Sequence, residues 1–373
     1  MTKAAELAKM GEVLTNSQIG GRRNIIINGA MQVAQRGTTT GQGNASAYSA
    51  VDRMNIHGGS TAGRLTSSHD SDSPVFLGNS LKLDCTTADT SIAAAEFLLL
   101  EQKLEGQDLQ QLEFNQSSAK ATTVSFYVKG NAAAQYTFAL QYHLSGGTAR
   151  WFTKGFAVTT DWARITITIP GDTQASSGSD YGIADNNATG ANLIIWLHGG
   201  TNFSSGTHQD TAWADRVYTT LLQDNQTSFY DSTNRTFFFT GFQFEVGSVA
   251  TQFEHMSFGE QLGLCQRYFQ QSYVHGTAAG TANTDVGRVI RFADAQQSYA
   301  GHWITFKTEM RAAPTGNVYN TVTGNADSIR DDNGNHNADV SGAATHGMHV
   351  YANNSAIGAS EGVKAQFTAD AEI

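Results

Sequence analysis

The sequence predicts a mainly β protein: an antiparallel, jelly-roll-like sandwich, followed by a short helical connector and a second, smaller C-terminal β domain. Short runs of alternating apolarity recur along the chain, separated by Gly, Asn and Ser clusters with few helical stretches between them. That pattern favours antiparallel sheets over a parallel α/β fold. The apolar spacing also changes within "TGFQFEVGSVATQFEHMSFGEQLGLCQRYFQQSY" (240–273), from the period of a strand to that of a helix. With 373 residues there is room for two cores, and 40% hydrophobic residues can fill them.

Taken in order, residues 1–23 read as a docking segment. Leu7, Met10 and Leu14 fall at helical spacing, but so short a helix is marginal until it rests on another surface. Residues 24–256 form the first domain. From Asn24 the strands expected are "NIIIN", "MQVAQRG", "YSAVDRMNIHG" and "NSLKLDC", then a possible short helix, "KLEGQDLQQLE" (103–113). "KATTVSFYVKG" and "AQYTFALQYHL" are the clearest strand pair, followed by "RWFTKGFAVTT", "WARITITIPG", "ANLIIWLHGGTNF" and "NRTFFFTGFQFEVGS". Ile165, Ile167 and Ile169 alternate with Thr166 and Thr168, which gives one buried and one wet face.

Residues 257–272 are the connector. Ser257 and Glu260 form a capping box. Phe258, Leu262, Cys265 and Phe269 fall at i, i+4, i+7 and i+11, a stripe that needs covering and would make the connector a rigid strut. Residues 273–373 form the second β domain, with strands in "RVIRFADAQQ", "GHWITFKTEM", "GNVYNTV", "HGMHVYANN" and "KAQFTADAEI".

Composition narrows the function. The net charge is −10 and no basic cluster exceeds "GGRRN", which argues against a nucleic-acid surface. Neither a long apolar run nor a signal-like start is present, so membrane insertion and conventional secretion are not expected. Cys85 and Cys265 each sit among apolar neighbours and read as free thiols. The strong hydrolase, phosphate-loop and zinc signatures are missing, so no catalytic residue, metal or cofactor is assigned. His346 and His349 have i, i+3 spacing, which puts them on opposite faces of a strand. "DDNGNHNAD" (331–339) is read as a hairpin turning at Asn333 and Gly334 rather than a calcium loop.

"NIIINGAMQVAQRGT", "QKLEGQDLQQL", "KATTVSFYVKG", "TTDWARITITIPGDT" and above all "GFQFEVGSVATQFEHMSFGEQLGLCQRYFQ" resemble a family of bacteriophage virion proteins, tail-fibre or tail-associated, with a carbohydrate-binding-module-like jelly roll. "TEMRAAPT" and the terminal "QFTADAEI" carry a fainter likeness. The resemblance implies a non-enzymatic tail fibre or spike subunit in the virion, assembled in the host cytoplasm and placed at the tail periphery rather than the capsid. It also implies a homotrimer whose partners are other virion subunits and a host-surface polysaccharide or receptor. The rival readings are a capsid-decorating or tail-adaptor protein and a polysaccharide depolymerase.

Sugar binding by such a sandwich would use aromatic rings as platforms beside amides and carboxylates. Trp151, Tyr181, Trp196 and Trp213 lie in or beside Gly/Ser/Asn-rich segments, and Trp213 and Tyr181 fall in polar loops. A depolymerase would instead need two carboxylates across a groove, with Asp180, Asp185, Asp210, Asp215 and Glu254 as candidates.

Overall fold

The structure, a computed structural model, describes residues 3, 22–144, 149–174, 182–215, 217–292, 301–352, 357 and 362–373. Most of the expected docking segment 1–23, including Leu7, Met10 and Leu14, lies outside the described residues. The chain divides into two compact units, one of residues 1–32, 40–49 and 54–256, the other of residues 33–39, 50–53 and 257–373. The connector helix therefore groups with the second unit, as do two stretches that the sequence pattern assigned to the first domain.

The first unit is an antiparallel sandwich, as the alternating runs predict. Its strands are β1 (Thr39–Gln42), β2 (Ser46–Tyr48), β3 (Asn55–Gly59), β4 (Arg64–Asp70), β5 (Ser80–Thr87), β6 (Phe97–Glu105) and β7 (Thr122–Gly130). After them come β8 (Ala134–His143), β9 (Ala149–Val158), β10 (Ala163–Ile169), β11 (Thr189–Gly199), β12 (Ala214–Asp215) and β13 (Thr236–Val246). One sheet runs β1-β4-β5-β13-β7-β10 and the other β12-β9-β8-β11-β6-β3-β2. The facing sides meet through aromatic rings: Phe126 on β7 lies 6.3 Å from Phe138 on β8 and 5.2 Å from Phe156 on β9. Such cross-sheet ring pairs supply most of the apolar area that holds a sandwich together.

β13 carries a device the sequence hides. Phe237 and Phe239 are buried, and so are Phe242 and Phe244, although the two pairs differ in parity. The register shifts between Thr240 and Gln243, and Gly241 between them has φ +63°. A bulge there resets the alternation and keeps all four rings on the inner face.

Three expected elements differ. "NIIIN" and "MQVAQRG" are buried but not strands, because side chains and isolated backbone bonds, such as Ile25 N to Phe244 O at 2.9 Å, take their backbone groups in place of a continuous ladder. Gln102 accepts from Ile27 N and donates to Ile27 O, both at 2.9 Å, and Asp52 Oδ1 accepts from Gln35 N at 3.1 Å. The helix expected over 103–113 resolves into the end of β6 and two single 3₁₀ turns, Gly106–Asp108 and Gln110–Leu112.

In the second unit the helix (Phe258–Gln266) begins on the expected capping box, with Ser257 and Glu260 bonding reciprocally. The stripe is covered only at its far end. Phe258 is 49% exposed and Leu262 half-buried, while Cys265 and Phe269 are buried. The reason is geometric: the chain leaves the helix after Gln266, and Phe269 belongs to a strand, so i+11 is not a helical position. The strands are β14 (Phe269–Gln271), β15 (Val289–Phe292), β16 (Gly301–Thr305), β17 (Thr315–Tyr319), β18 (Ser328–Arg330), β19 (Asn335–Ala344), β20 (Gly347–Ala352) and β21 (Gly362–Asp370). They are ordered β14-β21-β18-β19-β20-β16, with β15 and β17 also pairing on β21. "DDNGNHNAD" is the expected hairpin: Arg330 pairs with Asn335, and Asp331 Oδ1 accepts from Asn333 N and Gly334 N at 2.9 and 2.7 Å. The two cysteines are free and buried.

Candidate functional site

Two clusters of buried polar groups and one cleft stand out among the described residues, beside a buried chain in which His198 joins Ser228 at 2.8 Å to Glu96 at 3.2 Å. The first cluster lies in the second unit. Arg36 reaches Glu372 at 3.0 Å, Asp52 at 3.3 Å and Asp370 at 3.8 Å. Arg53 also pairs with Glu372, and its guanidinium lies 3.5 Å over the Tyr268 ring. Arg36 covers the Phe269 ring at 3.7 Å. Arg311 donates to the backbone oxygens of Ala371 and Glu372 at 2.9 and 3.2 Å. Residues from "MQVAQRG", "YSAVDRM", "LCQRYFQ", "TEMRAAPT" and "QFTADAEI" thus converge in one ionic knot. Burial raises the Asp52 carboxyl to about 6, against the pull of Arg36. With each charge facing an opposite one at short range, this knot is a staple between distant chain segments.

The second cluster lies on the outer face of the seven-stranded sheet. Register places Lys103, Asn192, Gln141 and Trp151 side by side on β6, β11, β8 and β9. The next row carries Tyr48, Asn55 and Glu101, with His57 one step along β3. At about 4.8 Å between strands, the first row spans roughly 14 Å. These groups are poorly matched to one another. Glu101 is 2% exposed, yet its nearest cation, Lys103, stands 3.7 Å away and His57 stands at 3.9 Å. Asn192 Nδ2 approaches Glu101 Oε2 only at 3.5 Å. Among the described residues, Glu101 Oε1, Asn192 Oδ1, Trp151 Nε1 and Trp196 Nε1 are buried without a hydrogen-bond partner. Burial raises the Glu101 carboxyl despite Lys103, and burial followed by Lys103 lowers the His57 imidazole.

The four aromatic residues singled out from sequence are not gathered into one platform. Trp151 and Trp196 are 7% and 3% exposed, packed with Leu221, Leu222 and Phe203 in an apolar cluster on the outer face of this sheet. Neither presents an open ring face, because the segment after β11 folds back over them; for Trp196 this is the core position that the apolar run "LIIWL" favours. Trp213 is half-buried on the opposite side of the sheet, edge-on to Phe114 at 5.3 Å and Tyr142 at 5.1 Å, with its indole N–H on Pro170 O at 2.6 Å. Beside it, Arg150 clasps Asp172 through Nε and Nη2 at 2.7 and 3.1 Å and Asp215 at 2.7 Å, a closed network. Tyr181 and Asp180 lie outside the described residues. Sequence reasoning missed Glu101, Lys103, Asn192 and Gln141. Their signal was available in polar residues at alternate positions of "FLLLEQKLE", "ANLIIWL" and "FALQYH", where a strand with an apolar cover should have none.

A cleft of about 350 Å³ opens between β9 and β10, lined by Phe152, Lys154, Ile165, Ile167 and Asp210 among others. Its rim is tied by Lys154 to Asp210 at 2.8 Å, and Thr166, Thr168 and Thr211 also line it. Asp215 is held by Arg150, and Glu254 accepts from the backbone of Arg23 and Asn24 at 3.2 and 2.7 Å. No helix among the described residues is long and apolar enough to cross a membrane.

No protein-family model and no curated protein sequence matches the chain. The solved structures similar to it include carbohydrate-binding-module jelly rolls. A family 30 carbohydrate-binding module matches at 13% identity and TM-score 0.31, over 62% of this chain and 92% of that one. The CBM22-1 xylan-binding domain from Paenibacillus barcinonensis Xyn10C matches at 11% identity and TM-score 0.28, over 62% of this chain and 99% of that one. The enzymatically active domain of bacteriophage CBA120 tailspike protein 4 matches at 7% identity and TM-score 0.28, over 60% of this chain and 21% of that one. These are distant likenesses, and the sandwich assignment rests on the strand order itself.

Proposed function

We propose that the protein is a non-catalytic glycan-binding subunit of a bacteriophage virion, a tail fibre or spike that attaches to host-surface polysaccharide. The observation that carries the glycan reading is the set of unpartnered buried atoms on the outer face of the seven-stranded sheet. Leaving such atoms unpaired costs stability, on the order of 1–3 kcal/mol each, so they mark a face that a ligand completes. Sugar hydroxyls both donate and accept. They can donate to Glu101 Oε1 and Asn192 Oδ1 once the half-buried Lys103 moves aside. Of the carboxylates that could flank a groove, Asp210, Asp215 and Glu254 are each bound to a cation or a backbone amide, which supports the non-catalytic reading, while Asp185 is exposed and Asp180 lies outside the described residues.

The virion reading is supported by the motifs quoted above. In it, residues 1–23 dock on another virion subunit, the chain is a homotrimer, and it sits at the tail periphery after assembly in the host cytoplasm. Calorimetric titration of the whole chain with purified host polysaccharide should give saturable binding, weakened about tenfold in Asn192→Ala. Release of reducing ends during the titration would instead make it a depolymerase, and electron microscopy placing the chain on the capsid shell would make it a decoration protein.

A further inference from the structure

The strongest surface feature outside the sandwich is the outward face of β16, β20 and β19. Register sets Trp303 beside His349 and His349 beside Ser341, with Gly301, Tyr351 and Asp339 in the adjoining row. The alternate residues Ile304, Met348 and Val350 are buried beneath, so the face rests on the core of its own unit. Trp303 is 40% exposed. His346, in the turn before β20, lies 5.6 Å from it. His346 and His349 therefore both border Trp303, whereas strand alternation had separated them. His349 and Tyr351 are stacked at 5.5 Å with 15° between their planes.

Glycines make room for two of these rings. A methyl group at Gly347 would come within 2.7 Å of Trp303 Cε2 and Cζ2, and one at Gly301 would strike the His349 ring. Each of these two rings therefore packs against a glycine, where any side chain would displace it. The rim is hydroxyl and carboxylate, from Thr305, Ser341 and Asp339, all exposed, without an exposed aliphatic side chain in either row.

We propose that this face is a second sugar-binding surface, on which Trp303 stacks against the C–H face of a neutral pyranose, His349 and Tyr351 border it, and Asp339 and Ser341 bond its hydroxyls. It extends the glycan reading to a separate unit and uses none of the sheet-face residues of the first. An exposed indole with a polar rim suits the amphipathic faces of a sugar. The test is nuclear magnetic resonance of the full chain labelled with ¹⁵N-tryptophan, with the Trp303 and Trp151 indole signals assigned through their Phe variants. Methyl β-glucoside, methyl β-galactoside and methyl α-mannoside are the probes. The Trp303 signal should move on titration with at least one glycoside. Affinity should fall about tenfold in Trp303→Ala and severalfold in Asp339→Asn, and stay unchanged in Asn192→Ala. The wild-type shift itself decides the matter even if Trp303→Ala misfolds. A Trp303 signal fixed with all three glycosides overturns the proposal. If the Trp151 signal moves in the same titrations, the first site stands alone; if neither moves, both readings fail for neutral pyranoses. A Trp303 signal that responds to protein dilution instead of sugar also overturns it, and makes the face a contact between copies.

Discussion

In the second unit, Glu372 receives Arg36 at 3.0 Å and Arg53 closer still, and its backbone oxygen accepts from Arg311. In the first unit, Glu101 is as deeply buried, but its nearest cation stands 3.7 Å away and one of its oxygens has no hydrogen bond. Both are carboxylates held out of water, and burial penalises both. The difference is closure. A buried charge that is paired and bonded ties segments together, whereas one left partly open has been kept at a cost that the fold itself does not recover. The first pattern reads as architecture and the second as a binding surface.

The largest effect should come from breaking the closed cluster. Glu372→Gln leaves Arg36 and Arg53 facing a neutral amide, so the second unit should lose about 3–5 kcal/mol, read as a lower urea midpoint. Titration of the sheet-face site should be unaffected. If the second unit unfolds at the wild-type midpoint, the knot is not a staple.

A second effect follows from Asp52. Its folded pKa of about 6 lies above the ordinary 3.8, so the native state holds a proton that the unfolded chain has released. The stability linked to this group is complete below the unfolded value and is lost as pH rises through 6, about 3 kcal/mol in all. The urea midpoint of the second unit should therefore carry a rise on acidification from pH 7 to 5 that Asp52→Asn removes. Carbon-13 observation of the Asp52 carboxyl titrating near 4 would contradict this.

Asn192→Ala should do the reverse of Glu372→Gln. Stability should change by less than about 1 kcal/mol, because the side chain's hydrogen bond to Glu101 is long, at 3.5 Å, while glycan affinity falls. A loss of stability comparable to that of the knot variant would move Asn192 from the binding surface to the architecture.

Much of the sandwich is legible in the sequence because alternation over long strands is a strong signal. β7, β8, β9, β10, β11 and β13 coincide with the runs that carry it. "NIIIN" misleads because three buried isoleucines look the same whether a ladder or a glutamine side chain satisfies their backbone. The helical stripe misleads because Phe269 keeps the spacing after the helix has ended. Trp151 and Trp196 were sought as platforms, but composition of the flanking loops says nothing about which loop folds over which ring. The sheet-face site and the Trp303 surface are built by register across strands far apart in sequence, and register is not written in any one strand.

The most direct measurement is the denaturant unfolding of Glu101→Gln without ligand. If Glu101 belongs to an open binding surface, removing its charge relieves a burial penalty that Lys103 at 3.7 Å only partly offsets. The account predicts that the first unit unfolds at the wild-type midpoint or above it. A loss of about 3 kcal/mol or more, the size expected of a broken buried pair, would show that Glu101 is as structural as Glu372 and contradict the distinction between the two clusters.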